Sequence, residues 1–141
     1  MSRATILAAV STRIELVSGC FEAKATFTAT EIPEHGTNGW FILWPDSEDT
    51  GPENGALALD RIALRCELLW RINPTTPIAS IAAAMDKALA IRSKLRDKTL
   101  VSVDNGAAPS MDVGVITYER APSGAHVVVS IPFVVDVFTS V

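Results

Sequence analysis

Cysteine, histidine and long apolar runs are all scarce in this chain, and each scarcity removes a class of function. Only two cysteines occur, Cys20 and Cys66, in neither a CxxC pair nor a zinc-type spacing. They are expected as reduced thiols in a cytosolic product, not as a disulfide framework or a structural metal site. The two histidines, His35 and His126, have no second imidazole or cysteine at ligand spacing, and read as solvated side chains at a turn and a strand start. Arg3, Arg13 and Glu15 interrupt the stretch up to Val17, which excludes a signal peptide or a membrane-length span there. The product is expected to stay where it is made, or to leave only inside a larger assembly. Catalytic patterns are missing as well: Ser123-Gly124 lacks the glycines of a nucleophile elbow, and the GTNG of residues 36–39 is not a phosphate loop. No enzyme, cofactor or metal is therefore expected.

What is present is an ordered chain of 141 residues, 48% hydrophobic and 20% charged, which fits one domain over 1–141. So little charge leaves a surface suited to burial against copies of the same chain. The stretch from Arg61 to Asn73 sorts with a period of two. Ile62, Leu64, Cys66, Leu68, Trp70 and Ile72 share one side, and Arg61, Ala63, Arg65, Glu67, Leu69 and Arg71 the other. Successive Cβ atoms of a strand alternate, so this predicts a long half-buried strand with a mainly cationic outer row.

Around that strand, Ser2 is the expected N-cap of a helix through Val17 that buries Ile6, Val10, Ile14 and Val17 and stops at Gly19. Phe21 to Ile32 reads as a strand with Phe21, Ala23, Ala25, Phe27 and Ala29 on one face, ended by Pro33. The turn at His35–Gly39 returns the chain through Trp40–Trp44 to Pro45. Residues 46–55 are acidic and rich in Gly and Pro. Asp46, Glu48, Thr50 and Gly51 imitate the start of a calcium loop, but Leu57 stands where its bidentate glutamate belongs. A mobile acidic hairpin tip is the expectation.

Thr76 and Pro77 open a second helix to about Lys98, with Ile78, Ile81, Ala82, Met85, Ala88 and Leu89 as its apolar stripe and Lys87 and Lys94 opposite. Arg92, Lys94, Arg96 and Lys98 suit the negative end of its dipole, which explains them without a phosphate site. Thr99–Val103, Asp112–Arg120 and His126–Phe138 read as strands, the last with Val127, Val129, Ile131, Phe133, Val135 and Val137 on one face. Pro132 places an edge or bulge in it. Trp40, Trp44 and Trp70 are expected in the core rather than in an aromatic binding patch. The layer argument gives an α+β fold, a mainly antiparallel sheet of about six strands with two helices packed on one face.

Charge changes sign along the chain. Residues 1–60 carry nine acids and three bases, residues 61–98 three acids and eight bases, and residues 99–141 four acids and one base. Such a bipolar layout suits head-to-tail contacts between identical subunits, although solvated charges without a partner would look the same. The net charge of −4 argues against a dedicated nucleic-acid binder.

The order of elements, a short N-terminal helix, a hairpin, the charged-faced strand Arg61–Asn73, a helix opened by TTP, and the closing YERAPSGAHVVVSIPFVVDVF, resembles the tail terminator, or tail-completion, proteins of long-tailed phages and phage-like particles. The likeness covers nearly the whole chain in layout and size, with Tyr118-Glu119-Arg120 and the closing strand nearest the family. The acidic stretch 46–55 and Pro132 have no counterpart in it. The resemblance implies a virion protein, made in the host cytoplasm, that forms a ring, usually six-fold, on the head-proximal end of the tail tube. Such a ring stops tube polymerisation and presents a surface to the head–tail connector. Its partners would be copies of itself, the tube protein and the connector or neck protein, with DNA only passing through the lumen and no membrane. On this view Arg61, Arg65, Glu67 and Arg71 form a subunit interface, the arginines meeting the acidic first half of a neighbour in preference to lining the DNA channel, and Arg65→Glu tests that contact. A head-completion or neck protein, and a small-molecule-binding α+β domain, remain open as other classes.

Overall fold

A computed structural model describes residues 3–33, 38–54, 57–97 and 110–140. In chain order the elements are α1 (Arg3–Glu15), β1 (Phe21–Glu22), β2 (Trp40–Asn54), β3 (Leu57–Arg71), α2 (Pro77–Arg96), β4 (Ser110–Val113), β5 (Thr117–Arg120) and β6 (His126–Ser140). The fold is α+β, with one mixed, mostly antiparallel sheet. β3 is central, pairing antiparallel with β2 on one side and with β6 on the other. Each of these three strands has 15 residues, a length of about 50 Å at ~3.3 Å per residue. β1 pairs parallel with the start of β2, and β4 and β5 follow one another along the far edge of β6.

Period-two patterning sets which face is buried. Ile62, Leu64, Cys66 and Leu68 of β3 lie beside Val129, Ile131, Phe133 and Val135 of β6, all under 4% exposed, and Phe41 of β2 joins them. Both helices cover this face: Ile6, Val10 and Ile14 of α1, and Ala84, Ala88, Ile91 and Leu95 of α2, complete one core. Gly19, at φ +81°, turns the chain out of α1 into β1.

The stretch after Phe21 departs from the expected strand. Only Phe21 and Glu22 pair, and the chain then crosses to the other face of the sheet. There Phe27 and Ala29 bury Trp40, Leu69 and Val128 in a second, smaller core. Leu69, placed by alternation in the outer row, is buried for this reason. Trp40 is core as expected and Trp70 packs against the larger core, but Trp44 is 50% exposed.

The prolines mark where alternation is locally broken. β2 does not end at Pro45 but runs on to Asn54, so residues 46–54 are strand and not an acidic tip; residues 55–56 lie outside the described residues. Phe41 accepts the Ala23 N–H at 2.8 Å on the outer edge of β2. Alternation directs the missing N–H of Pro45 to that same edge, where no described strand pairs with it. In β6, Pro132 faces the break between β4 and β5. Gly114, Val115 and Ile116 oppose only Ile131 and Pro132, and the Gly114 N–H donates to the Pro132 carbonyl at 2.8 Å. This is the expected bulge, and it splits the predicted strand Asp112–Arg120 in two. Ser2, His35 and Thr99–Val103 fall outside the described residues.

The second helix is rotated from expectation. Ala88 is buried, but Ile78 is 81% exposed and Ile81, Met85 and Leu89 are 44–46% exposed. The face that packs instead carries Ala84, Ala88, Ile91 and Leu95, two small side chains beside two large ones. The helix starts at Pro77 as expected, without a side-chain cap from Thr76. Instead Asn73 Oδ1 accepts the Thr75 N–H at 3.0 Å, and Ser80 Oγ accepts the Asn73 N–H at 2.9 Å.

Candidate subunit interface

Two surfaces are candidates for contact between copies. The first is the outer row of β3, where Arg61, Arg65, Glu67 and Arg71 stand together on the face away from the helices, Arg61 and Arg71 the more exposed. Much of the row's charge is answered within the chain. Arg61 Nε lies 3.3 Å from Oδ1 of its cross-strand neighbour Asp136. Arg65 Nε lies 2.9 Å from Asp46 Oδ1, and its Nη1 3.6 Å from Glu67 Oε1. Asp46 is the extra residue of the bulge between Pro45 and Ser47, and a bulge re-aims a side chain in just this way. So part of the acidic first half meets the cationic row of its own chain. Arg65→Glu would gather Asp46, Glu67 and the new carboxylate on one patch, and would lower folding stability as well as any assembly.

Glu67 is the group most affected by this crowding. Burial pushes its pKa above the usual carboxylate value; Arg65 pulls it down, and Glu119 and Asp46 push it further up. A carboxyl with a raised folded-state pKa favours the fold while protonated, and that contribution is lost as pH rises through the raised value. Glu67→Gln is therefore expected to raise neutral-pH stability and to flatten the decline seen on going from the carboxylate range toward neutrality. Thermal melts of both proteins across that range check it.

Arg71 and His126 are cross-strand neighbours in a cleft of about 560 Å³ between residues 29–33 and the turn at residues 121–123. Burial first, then the Arg71 charge, lowers the His126 pKa, so the imidazole is neutral at neutral pH. No carboxylate is among the described lining residues. No group of three potential metal-ligating side chains occurs among the described residues, and no helix there is long and apolar enough to cross a membrane.

The second surface was named in the sequence for the wrong role. Ile78, Ile81, Met85 and Leu89 form an outward stripe on α2, and Arg92 and Arg96 continue it toward the C-terminus. Lys87 donates to the Ser18 carbonyl just beyond α1. At about 100° per residue Lys87 is opposite Ile78, Met85 and Leu89 on α2, so the stripe faces away from α1. On α1, Arg13 is buried against the end of α2, with Nη1 3.4 Å from the Leu95 carbonyl and 3.3 Å from that of Asp97. The same helical arithmetic turns Ala4, Ala8 and Glu15 away from α2. They line a groove of about 560 Å³ floored by Ile42, Leu43 and Trp44 at the open edge of β2. Nothing in the sequence marked that groove, because it forms only where the chain after Glu22 leaves the sheet.

The fold and these surfaces define an α+β domain with two unlike apolar surfaces on opposite sides. No protein family and no curated protein matches the chain.

Proposed function

We propose that this chain is a structural virion subunit of the tail-terminator kind, forming a ring on the head-proximal end of a phage tail tube, ending tube growth and offering the head–tail connector a docking surface. The observation that carries the reading is the outward face of α2. Ile78 is 81% exposed, and Ile81, Met85 and Leu89 lie close to half exposed on a helix whose adjoining side, Ala84, Ala88, Ile91 and Leu95, already fills the core. Contiguous large apolar side chains on a well-packed element mark a surface that another protein covers. The order of elements, with its long central strand and long closing strand, supports the same reading. The partners are then further copies of the chain, the tail tube protein and the connector, with DNA in transit through the lumen.

The direct test is tube growth. Tail tube protein polymerised with this chain present should give tubes that shorten as the chain is added and carry extra density at one end. Tubes of unchanged length with bare ends would overturn the terminator role.

A further inference from the structure

We propose that the pocket between residues 26–31 and the outer face of β2 and β3 binds a guanidinium group, the head of an arginine side chain or of a free guanidino compound. It lies on the sheet face away from the helices, within the row that carries Arg65 and Glu67. A ligand there does not depend on ring formation.

The walls set the size and shape of the ligand. Ile42 and Trp44 of β2 stand directly opposite Glu67 and Arg65 of β3, and the chain from Thr26 to Glu31 walls the other side, enclosing about 330 Å³. That volume is at the low end for a ligand pocket and suits one side-chain head group better than a cofactor. Trp44 is half exposed, and Glu67 is its diagonal neighbour across the strand pair, about 7 Å away by sheet geometry. A flat cation resting on the indole therefore meets a carboxylate at its edge.

Charge sets the sign. Arg65 is the one cation among the described lining residues, and its Nε lies 2.9 Å from Asp46 Oδ1. Its Nη1 is 3.6 Å from Glu67 Oε1, which leaves Glu67 Oε2 and the Glu31 carboxylate without a hydrogen bond or ion pair among the described residues. An anion would be repelled by these two acids, and a neutral ligand would leave them unanswered. Glu31 is held at the rim by a closed turn: the Thr28 N–H donates to the Glu31 carbonyl at 3.0 Å, and the Glu31 N–H to Thr28 Oγ1 at 3.1 Å. A guanidinium fits better than an ammonium, because it is planar, stacks on an aromatic face, forks to a carboxylate and is the more weakly hydrated of the two.

Calorimetric titration of the full chain at constant ionic strength tests the site, with N-acetyl-arginine amide as the probe and N-acetyl-citrulline amide as its uncharged isostere. Saturable binding of the arginine compound is expected, with the citrulline compound weaker by at least about 10-fold. Glu67→Gln should weaken binding about 10-fold while keeping the fold, since the same substitution is expected to stabilise the chain at neutral pH. Trp44→Ala, at a half-exposed position, should weaken it about 5-fold. Agmatine carries the same head group without a peptide backbone. If it binds as tightly as the capped amino acid, the ligand is a free guanidino compound; if it binds more weakly, the ligand is a side chain on a polypeptide. No saturable binding of either compound, equal binding of the citrulline compound, or unchanged binding by Glu67→Gln would overturn the proposal.

Discussion

Gly39→Ala should cost the fold about 4 kcal/mol or more, combining a strained backbone with a forced displacement. Gly39 sits at φ +89°, where a side chain is disfavoured, and a Cβ built there would fall 1.8 Å from the Gly19 carbonyl oxygen. That oxygen is backbone and has little room to give, because Cys20 and Phe21, which follow it, are held by hydrogen bonds. The Cys20 N–H donates to the Val17 carbonyl at 3.1 Å and the Phe21 N–H to Gly39 itself at 3.0 Å. The substitution must therefore part the α1–β1 connection from the start of β2. Gly19→Ala is the control: its φ is +81°, but the nearest atom to an added Cβ is the Lys87 Nζ at 3.6 Å, the end of a flexible side chain. Only the left-handed backbone penalty applies there, about 1–2 kcal/mol. Urea unfolding of both variants should show the gap, and equal losses would mean that the two glycines are not in the close approach described.

Arg13→Ala should cost about 3 kcal/mol, the scale of a buried charged donor removed from its acceptors. The residue is 5% exposed and lies where α1 meets the last turn of α2. Its guanidinium reaches the Leu95 and Asp97 carbonyls, at the end of α2 where carbonyls lack intrahelical partners and the helix dipole is negative. Burial lowers the Arg13 pKa, with Asp97 acting in the opposite sense. Loss of the side chain leaves a cavity and uncovers those carbonyls at once. Arg13→Lys keeps the charge without the planar fork and should recover only part of the loss. Denaturant melts rank the three proteins, and near-neutral behaviour of Arg13→Ala would mean that the cationic lock between the helices contributes nothing.

The two long amphipathic strands were legible because alternation is a one-dimensional signal. Ile62 to Leu68 and Val127 to Val137 are buried on the face that the alternation assigned. The start of α2 at Pro77 and the Pro132 bulge were legible for similar reasons, since proline acts on its own backbone. What failed needed knowledge of a neighbour. Residues 23–33 have the composition of a strand, but among the described residues the β2 edge next to them is paired only at Trp40 and Phe41, and Phe27 and Ala29 instead cover Trp40 and Leu69. Residues 46–54 have the composition of a loop, yet β3 is there to pair with them across a bulge, and an acidic, proline-broken edge is a protected one. In α2 two apolar faces compete, and periodicity alone did not say that the one carrying Ala84, Ala88, Ile91 and Leu95 would be buried. The cationic row of β3 was visible, but not its own-chain partners Asp46 and Asp136, which come from β2 and β6.

The solution mass of the purified chain over a wide concentration range, with electron micrographs of the same samples, tests the ring-subunit role most directly. Closed rings of uniform size, about six copies in each, are the expected result, with the mass rising to that value and no further. A strict monomer at every concentration that also leaves tube ends bare would contradict it.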